Sequence, residues 1–237
     1  MSDLVVIDGS MGEGGGQVLR TSLALSLVTG RPVRVENIRA GRKKPGLMRQ
    51  HLTSVQAACA VGCARVEGAE LGSREVRFEP GPAQGGEYEF SVGTAGSTTL
   101  VLQTILPALL VAEHPSRIRL CGGTHNPLAP PFDFLQRVFV PLVNRMGPKM
   151  EASLVRPGFY PAGGGECVVT VEPCRKLSRI DLTERGAVLR RLACATVSRL
   201  PRSIAERELA CVAGLLGWGP ESLSAVQAES PGPGNVV

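Results

Sequence analysis

Three loops of this chain carry residue types that can do chemistry. The first is GEGGGQVLR, residues 12–20. It lies between a strand-like and a helix-like segment, where glycine admits positive φ and close main-chain approach and a helix start offers free N–H groups to an anion. Phosphate is the ligand that fits. The segment is not a P-loop, which needs Gly-Lys-Ser/Thr, nor a GxGxxG loop with an acidic residue on the next strand. A tight turn would account for the glycines alone. Glu13, Gln17 and Arg20 add more, since a carboxylate able to hold Mg²⁺ and a guanidinium able to grip phosphate flank the same glycines.

The second loop, IRAGRKKPGLMRQH at residues 38–51, crowds Arg39, Arg42, Lys43, Lys44 and Arg49 ahead of a helix. Their mutual repulsion has to be offset somewhere. A solvated basic loop and a site for phosphate or RNA backbone both fit, the latter because arginine forks bind phosphate oxygens in pairs. No aromatic residue is interleaved to stack bases, so sequence-specific base reading by this loop is not expected. In the third loop, GGTHNPLAPPFDF at residues 122–134, prolines and phenylalanines stand in place of cations. Pro130 and Pro131 stiffen a helix entry, while Phe132 and Phe134 offer ring faces in a chain only 4% aromatic. These rings suit a core, or a wall for a flat ligand such as adenine with Gln103 of a neighbouring helix bonding its edge. Among the histidines, His51 at a helix start can donate to phosphate, His125 reads equally as ligand or turn residue, and His114 beside Pro115 is expected in solvent. No Ser/His/Asp order or His-metal spacing stands out.

The elements that must position these loops form a repeat. Residues near 10–41 align with residues near 92–124, an offset of 82 to 83. In each copy a short strand (4–7; 88–92) enters a small-residue loop and a helix (18–28; 100–112). A proline turn then leads to an alternating strand (33–38; 116–120). A second helix (48–61; 132–146), an edge-like strand and a strand ending in Glu-Pro (75–79; 166–172) complete each unit as βαβαββ. The second copy is longer by about ten residues, which include GFYPAGGG at 158–165. A unit of this kind packs two helices on one face of a four-stranded sheet, so two copies are expected to share a core. The fold class is α+β. From Arg175 the pattern changes to a strand at 188–198 and a helix at 203–216, with Ser203 and Glu206 as a capping box. Residues 235–237 read as the opening of another strand, and a C-terminally truncated chain is expected.

Composition bounds the rest. With 237 residues, 43% hydrophobic and 20% charged, the chain is neither disordered, collagen-like nor coiled coil. Its net charge of +5 favours an anionic partner. Seven cysteines without a CxxC pair suggest buried free thiols and, with no signal-like N-terminus, a cytoplasmic location. The longest nearly apolar run, 100–112, is too short to span a bilayer, so no membrane association is expected.

Five segments, GEGGGQVLR, RAGRKKPGLMRQH, SVGTAGSTTLVLQTILP, GGTHNPLAPPFDF and GFYPAGGGE, together resemble the RNA 3′-terminal phosphate cyclase family over nearly the whole chain. Pro157 departs from the Arg or His that usually precedes GFYPAGGG. The resemblance implies a large domain of repeated βαβαββ units at 1–182 and the start of a small inserted α/β domain at 183–237. It implies a ligase-class enzyme that converts RNA 3′-phosphate ends to 2′,3′-cyclic phosphates with ATP and Mg²⁺ or a similar divalent cation, through an adenylated histidine and an RNA-adenylate. By position, Glu13 would ligate the metal, and Arg20, Arg39, Arg42, Gln50 and His51 would hold phosphates. Glu13, Gln17, Gln103, Pro130 and Phe134 would line the nucleotide site. The family's nucleophilic histidine follows the inserted domain and matches none of the three histidines here, so the chain alone is expected to be inactive. Two alternatives are a non-catalytic cyclase-like RNA-binding protein of ribosome assembly, which typically lacks the residues standing here at 12–17 and Gln103, and an enolpyruvyl transferase, which shares related βαβαββ repeats but none of the five segments.

Overall fold

The computed structural model of the protein describes residues 3–237. Strand β1 (Val5–Asp8) leads to helix α1 (Gly16–Thr29), which ends where Gly30 turns left-handed and gives its N–H to the Ser26 carbonyl. Strand β2 (Val33–Glu36), helix α2 (Arg49–Gly62) and strands β3 (Arg65–Glu67) and β4 (Val76–Glu79) follow. The sheet order is β1-β2-β4-β3, parallel for the first pair and antiparallel for the others. Next come β5 (Glu87–Ser91), α3 (Thr98–Leu109), β6 (Ser116–Gly122), a helix α4 over residues 132–144, β7 (Lys149–Arg156) and β8 (Gly165–Glu172). Their sheet, β5-β6-β8-β7, has the same order of pairing and the same strand directions as the first.

Both sheets alternate. In β6, Ser116, Ile118 and Leu120 point inward while Arg117 and Arg119 face water, the period-2 pattern of a half-buried strand. Helices α1, α2 and α3 pack on one another, α1 also against β2 and β4, and α3 against β6. One apolar core therefore joins Leu23 and Val35 of the first set to Ile105 and Val169 of the second. Helix α4 is not regular as expected: Leu135–Phe139 forms a π turn before Val140–Asn144 resumes. Pro141 has no N–H to give to the carbonyl four residues back, and the wider turn accommodates this.

A third sheet, β10-β9-β11, is built from β9 (Ala193–Ser198), β10 (Leu223–Gln227) and β11 (Gly234–Val236), with helix α5 (Arg202–Leu216) and a small core of its own around Val197 and Leu209. Two expectations change here. The strand expected from 188 begins only at Ala193, and Val188 and Leu189 are exposed. Helix α5 starts at Arg202 behind Pro201, which has no side-chain acceptor to cap it; Ser203 lies inside the helix, and Glu206 pairs at 3.1 Å with Arg202 one turn earlier. The turn entering β11 lies on the 158–165 loop, with Gly234 against the Phe159 ring and Pro231 against Gly164. Of the cysteines expected to be buried, Cys167 is, whereas Cys63 and Cys211 are exposed. No helix among the described residues is long and apolar enough to cross a membrane.

Candidate phosphate-binding site

Helix α1 begins behind an extended Gly15 with no capping side chain, so its first-turn N–H groups are left for another acceptor. Arg20, one turn on, is 6% exposed. Its Nη2 donates to Gln17 Oε1 at 2.9 Å, while its Nε has no partner among the described residues. Burial lowers its pKa to about 10, which keeps it charged at neutral pH. His51 comes to the same place from α2. Its Nδ1 accepts the Met48 N–H at 3.2 Å, which puts the proton on Nε2. A methyl group on Gly16 would collide with that Nε2 and stand 2.8 Å from Arg20 Nη1, and one on Gly15 would stand 3.1 Å from Arg42 Nη2. Glycine is required because three side chains converge on the backbone. Burial first, then Arg39 and Arg20, hold the His51 pKa down at about 4, so the ring is a neutral donor.

The basic loop is tied down by its main chain. Ile38 N–H reaches the Arg74 carbonyl at 2.9 Å, Leu47 N–H the Ser73 carbonyl at 2.9 Å, and Gly72 N–H the Leu47 carbonyl at 2.8 Å. Arg39 is left-handed at φ 55°, and its Nη1 donates to the carbonyls of Lys44 and Gly46 at 2.7 and 2.8 Å. Part of the expected repulsion is thus offset by carbonyls, and part by Glu13, whose carboxylate lies 3.6 Å from Arg42 Nη2 while 93% exposed. Burial and neighbouring Arg42 lower the Arg39 pKa. Lys43, Lys44 and Arg49 stand in solvent.

Gln50 turns the other way. Its Oε1 accepts the Ser97 N–H at 2.8 Å, so its carbonyl end joins the first copy to the start of α3 and only its amide N–H groups remain for a ligand. Thr99 Oγ1 donates to the Pro130 carbonyl at 2.8 Å. Gln103, one turn further on the face of Thr99, is exposed, as is Pro130. The two phenylalanines separate: Phe132 is in the core and Phe134 is 46% exposed. Gln103, Pro130 and Phe134 are therefore surface groups around the 122–134 loop, whereas Glu13, Arg20, Arg42 and His51 surround the 12–20 loop. Gln17 serves Arg20 and, through its Nε2, Thr21 Oγ1 at 3.1 Å.

Sequence reasoning missed Asp133. His125, read there as ligand or turn residue, has both ring nitrogens engaged: Nδ1 with Thr124 Oγ1 at 2.8 Å and Nε2 with Asp133 Oδ2 at 2.9 Å. Its ring stacks on Phe159 with centroids 5.4 Å apart. A separation of eight residues across a loop has no periodicity to reveal it. His114 is exposed. A trough of about 550 Å³ on the outer face of the second sheet is lined by Glu87, Glu89, Arg117, Arg119 and Glu166, but Arg119 is already paired with Glu166 at 2.9 Å and Glu89 at 3.6 Å. Its charges are matched within the sheet, and none of its lining residues belongs to the 12–20 or 38–51 loops, so it is not the candidate site. No cluster of three or more His, Cys, Asp or Glu side chains suited to a metal occurs among the described residues.

Comparison with known proteins identifies the family. The family model described as RNA 3′-terminal phosphate cyclase matches residues 11–224. A protein of that name from Koribacter versatilis is 53% identical over 99% of this chain and 66% of its own length. Those from Ralstonia nicotianae and Pseudomonas fluorescens are 53% and 54% identical, over 98% and 99% of this chain and 67% and 68% of theirs. The chain thus spans about two thirds of the length of these relatives. On the family match and this level of identity, the chain belongs to the RNA 3′-terminal phosphate cyclase family.

Proposed function

We propose that the glycine loop and α1 start hold the phosphates of ATP, and that the chain supplies the binding surface for ATP-dependent cyclisation of RNA 3′-phosphate ends. The observation that carries this reading is Arg20, a buried guanidinium with an unpartnered Nε, meeting Arg42 and the protonated Nε2 of His51 over the first glycines of an uncapped helix. Such donors, fixed before the ligand arrives, stabilise charge developing on phosphoryl oxygens. His51, neutral down to about pH 4, keeps its Nε2 proton as a hydrogen-bond donor. Exposed Lys43, Lys44 and Arg49 meet the RNA backbone, while Pro130, Phe134 and Gln103 receive the base.

A divalent cation fits as one held mainly by the phosphates: Glu13 offers one exposed carboxylate, the usual protein share of a Mg²⁺ site. Bound there, the ion would neutralise charge on the phosphates. In the chemistry proposed, a histidine nitrogen takes AMP from ATP with loss of pyrophosphate, and an oxygen of the RNA 3′-phosphate takes the AMP in turn. The vicinal 2′-hydroxyl then attacks the 3′-phosphorus and expels AMP. His51 is wedged against Gly16, both nitrogens of His125 are engaged, and His114 sits at the far turn, so none is placed to carry AMP. Residues 1–182 serve as the large domain and 183–237 as part of an inserted one.

The test is binding by the 237-residue chain with Mg²⁺ present. ATP is expected to bind, and a short RNA ending in 3′-phosphate to bind more tightly than the same RNA with a 3′-hydroxyl, both weakened by Arg20→Ala. Absence of ATP binding, or equal affinity for the two RNA ends, overturns the reading. ATP labelled at the α-phosphate should leave no covalent label, and a stoichiometric protein-AMP adduct would refute the assignment of the three histidines.

A further inference from the structure

His125 is at the centre of a directed chain of hydrogen bonds. The Gly158 N–H donates to Thr124 Oγ1 at 2.9 Å, so the threonine hydroxyl proton is free to go to His125 Nδ1 at 2.8 Å. That fixes the neutral tautomer with its proton on Nε2, aimed at Asp133 Oδ2 at 2.9 Å. The imidazole is 5% exposed and stacked on Phe159, while the Thr124 and His125 N–H groups both reach the Gly158 carbonyl, at 2.9 and 3.2 Å. The hydrogen bond from His125 is the largest cause of a lowered Asp133 pKa, and Arg137 lies 3.6 Å from the other carboxylate oxygen.

Asp133 stands between buried Phe132 and exposed Phe134 in the first turn of α4. Holding its side chain from inside, with Phe132 N–H on the Thr124 carbonyl at 3.0 Å, sets the rotation of that turn and so the direction of the Phe134 ring. We infer that His125 is a positioning residue for the base of the nucleotide, locking the wall of Pro130 and Phe134 to the 158–165 loop. It touches no phosphate-facing group named above. The inference rests on the nucleotide-binding reading, and it assigns His125 to the base end of the ligand rather than the phosphate end.

The test compares ATP with inorganic tripolyphosphate, which keeps the phosphates and lacks the base, by calorimetry on the 237-residue chain. His125→Ala should weaken ATP roughly tenfold, the scale of one lost apolar contact in a shaped pocket, and leave tripolyphosphate unchanged. His125→Gln, which keeps a donor for Asp133, should recover most of the ATP affinity. Asp133→Ala, at a half-exposed position, removes the acceptor and should likewise weaken ATP and spare tripolyphosphate should His125→Ala fail to fold. Equal weakening of both ligands, or of neither, overturns the inference. Wild-type chain that binds tripolyphosphate as well as ATP overturns the base wall, and wild-type chain that binds neither overturns the nucleotide reading beneath it.

Discussion

His51 makes the clearest residue-scale prediction, because its pKa falls from 6.5 to about 4 through burial and the nearby Arg39 and Arg20. Above about pH 6.5 neither folded nor unfolded chain carries this proton. Between pH 6.5 and 4 the unfolded chain binds it and the folded chain does not, so stability is lost as pH falls, by about 3 kcal/mol in all. Urea denaturation at pH 7.5 and pH 4.5 should show this loss in wild type and much less of it in His51→Asn. A bound phosphate should oppose the loss, since an anion beside Nε2 favours the imidazolium. That Arg20 and His51 each suit an anion was legible from a glycine loop and a helix start, while their grouping came from the family resemblance. That His51 bonds back to Met48 N–H, and that Arg39 spends its guanidinium on two carbonyls, was not, because both depend on how the loop folds over itself.

Among the elements, α2 and α3 share apolar packing, to which Gln50 adds a polar tie. Gln50→Ala would leave the Ser97 N–H without its 2.8 Å partner, at a cost of about 1–3 kcal/mol and a lower melting temperature. Gln50→Glu keeps an acceptor there and should stay close to wild type in the same thermal scan. The periodicity of α1 and α2 and the alternation of β2 and β6 were readable because each has one buried face, and α3, buried nearly all round, because it is a long apolar run. Helix α4 was read as one regular helix because apolar spacing carries no mark of a π turn such as the one at Leu135–Phe139 ahead of Pro141. Residues 188–192 have the composition of a strand, but a strand also needs a neighbour to pair with, and β9 acquires its neighbours only from Ala193 onward.

For the whole molecule, the charge of +5 becomes useful where it is held in place. The main-chain bonds from Ile38 and Leu47 to the 73–74 segment present Lys43 and Lys44 on a fixed loop. Binding of a single-stranded RNA 3′-phosphate should weaken steeply with salt, and Lys43→Ala with Lys44→Ala should flatten the log–log slope by about 1.4 if both meet phosphates. Fluorescence anisotropy across a KCl series measures this, and an unchanged slope would remove those lysines from the RNA path. The core shared by the two sheets has a consequence in time as well as in space. The first sheet is complete in sequence at Glu79, but helix α3, which covers α1 and α2, and the sheet it packs on run on to Glu172. While the ribosome makes that second stretch, the N-terminal half carries uncovered apolar helix faces, the kind of surface chaperones hold. The half that bears the glycine loop therefore emerges ahead of the half it packs on and settles only together with it.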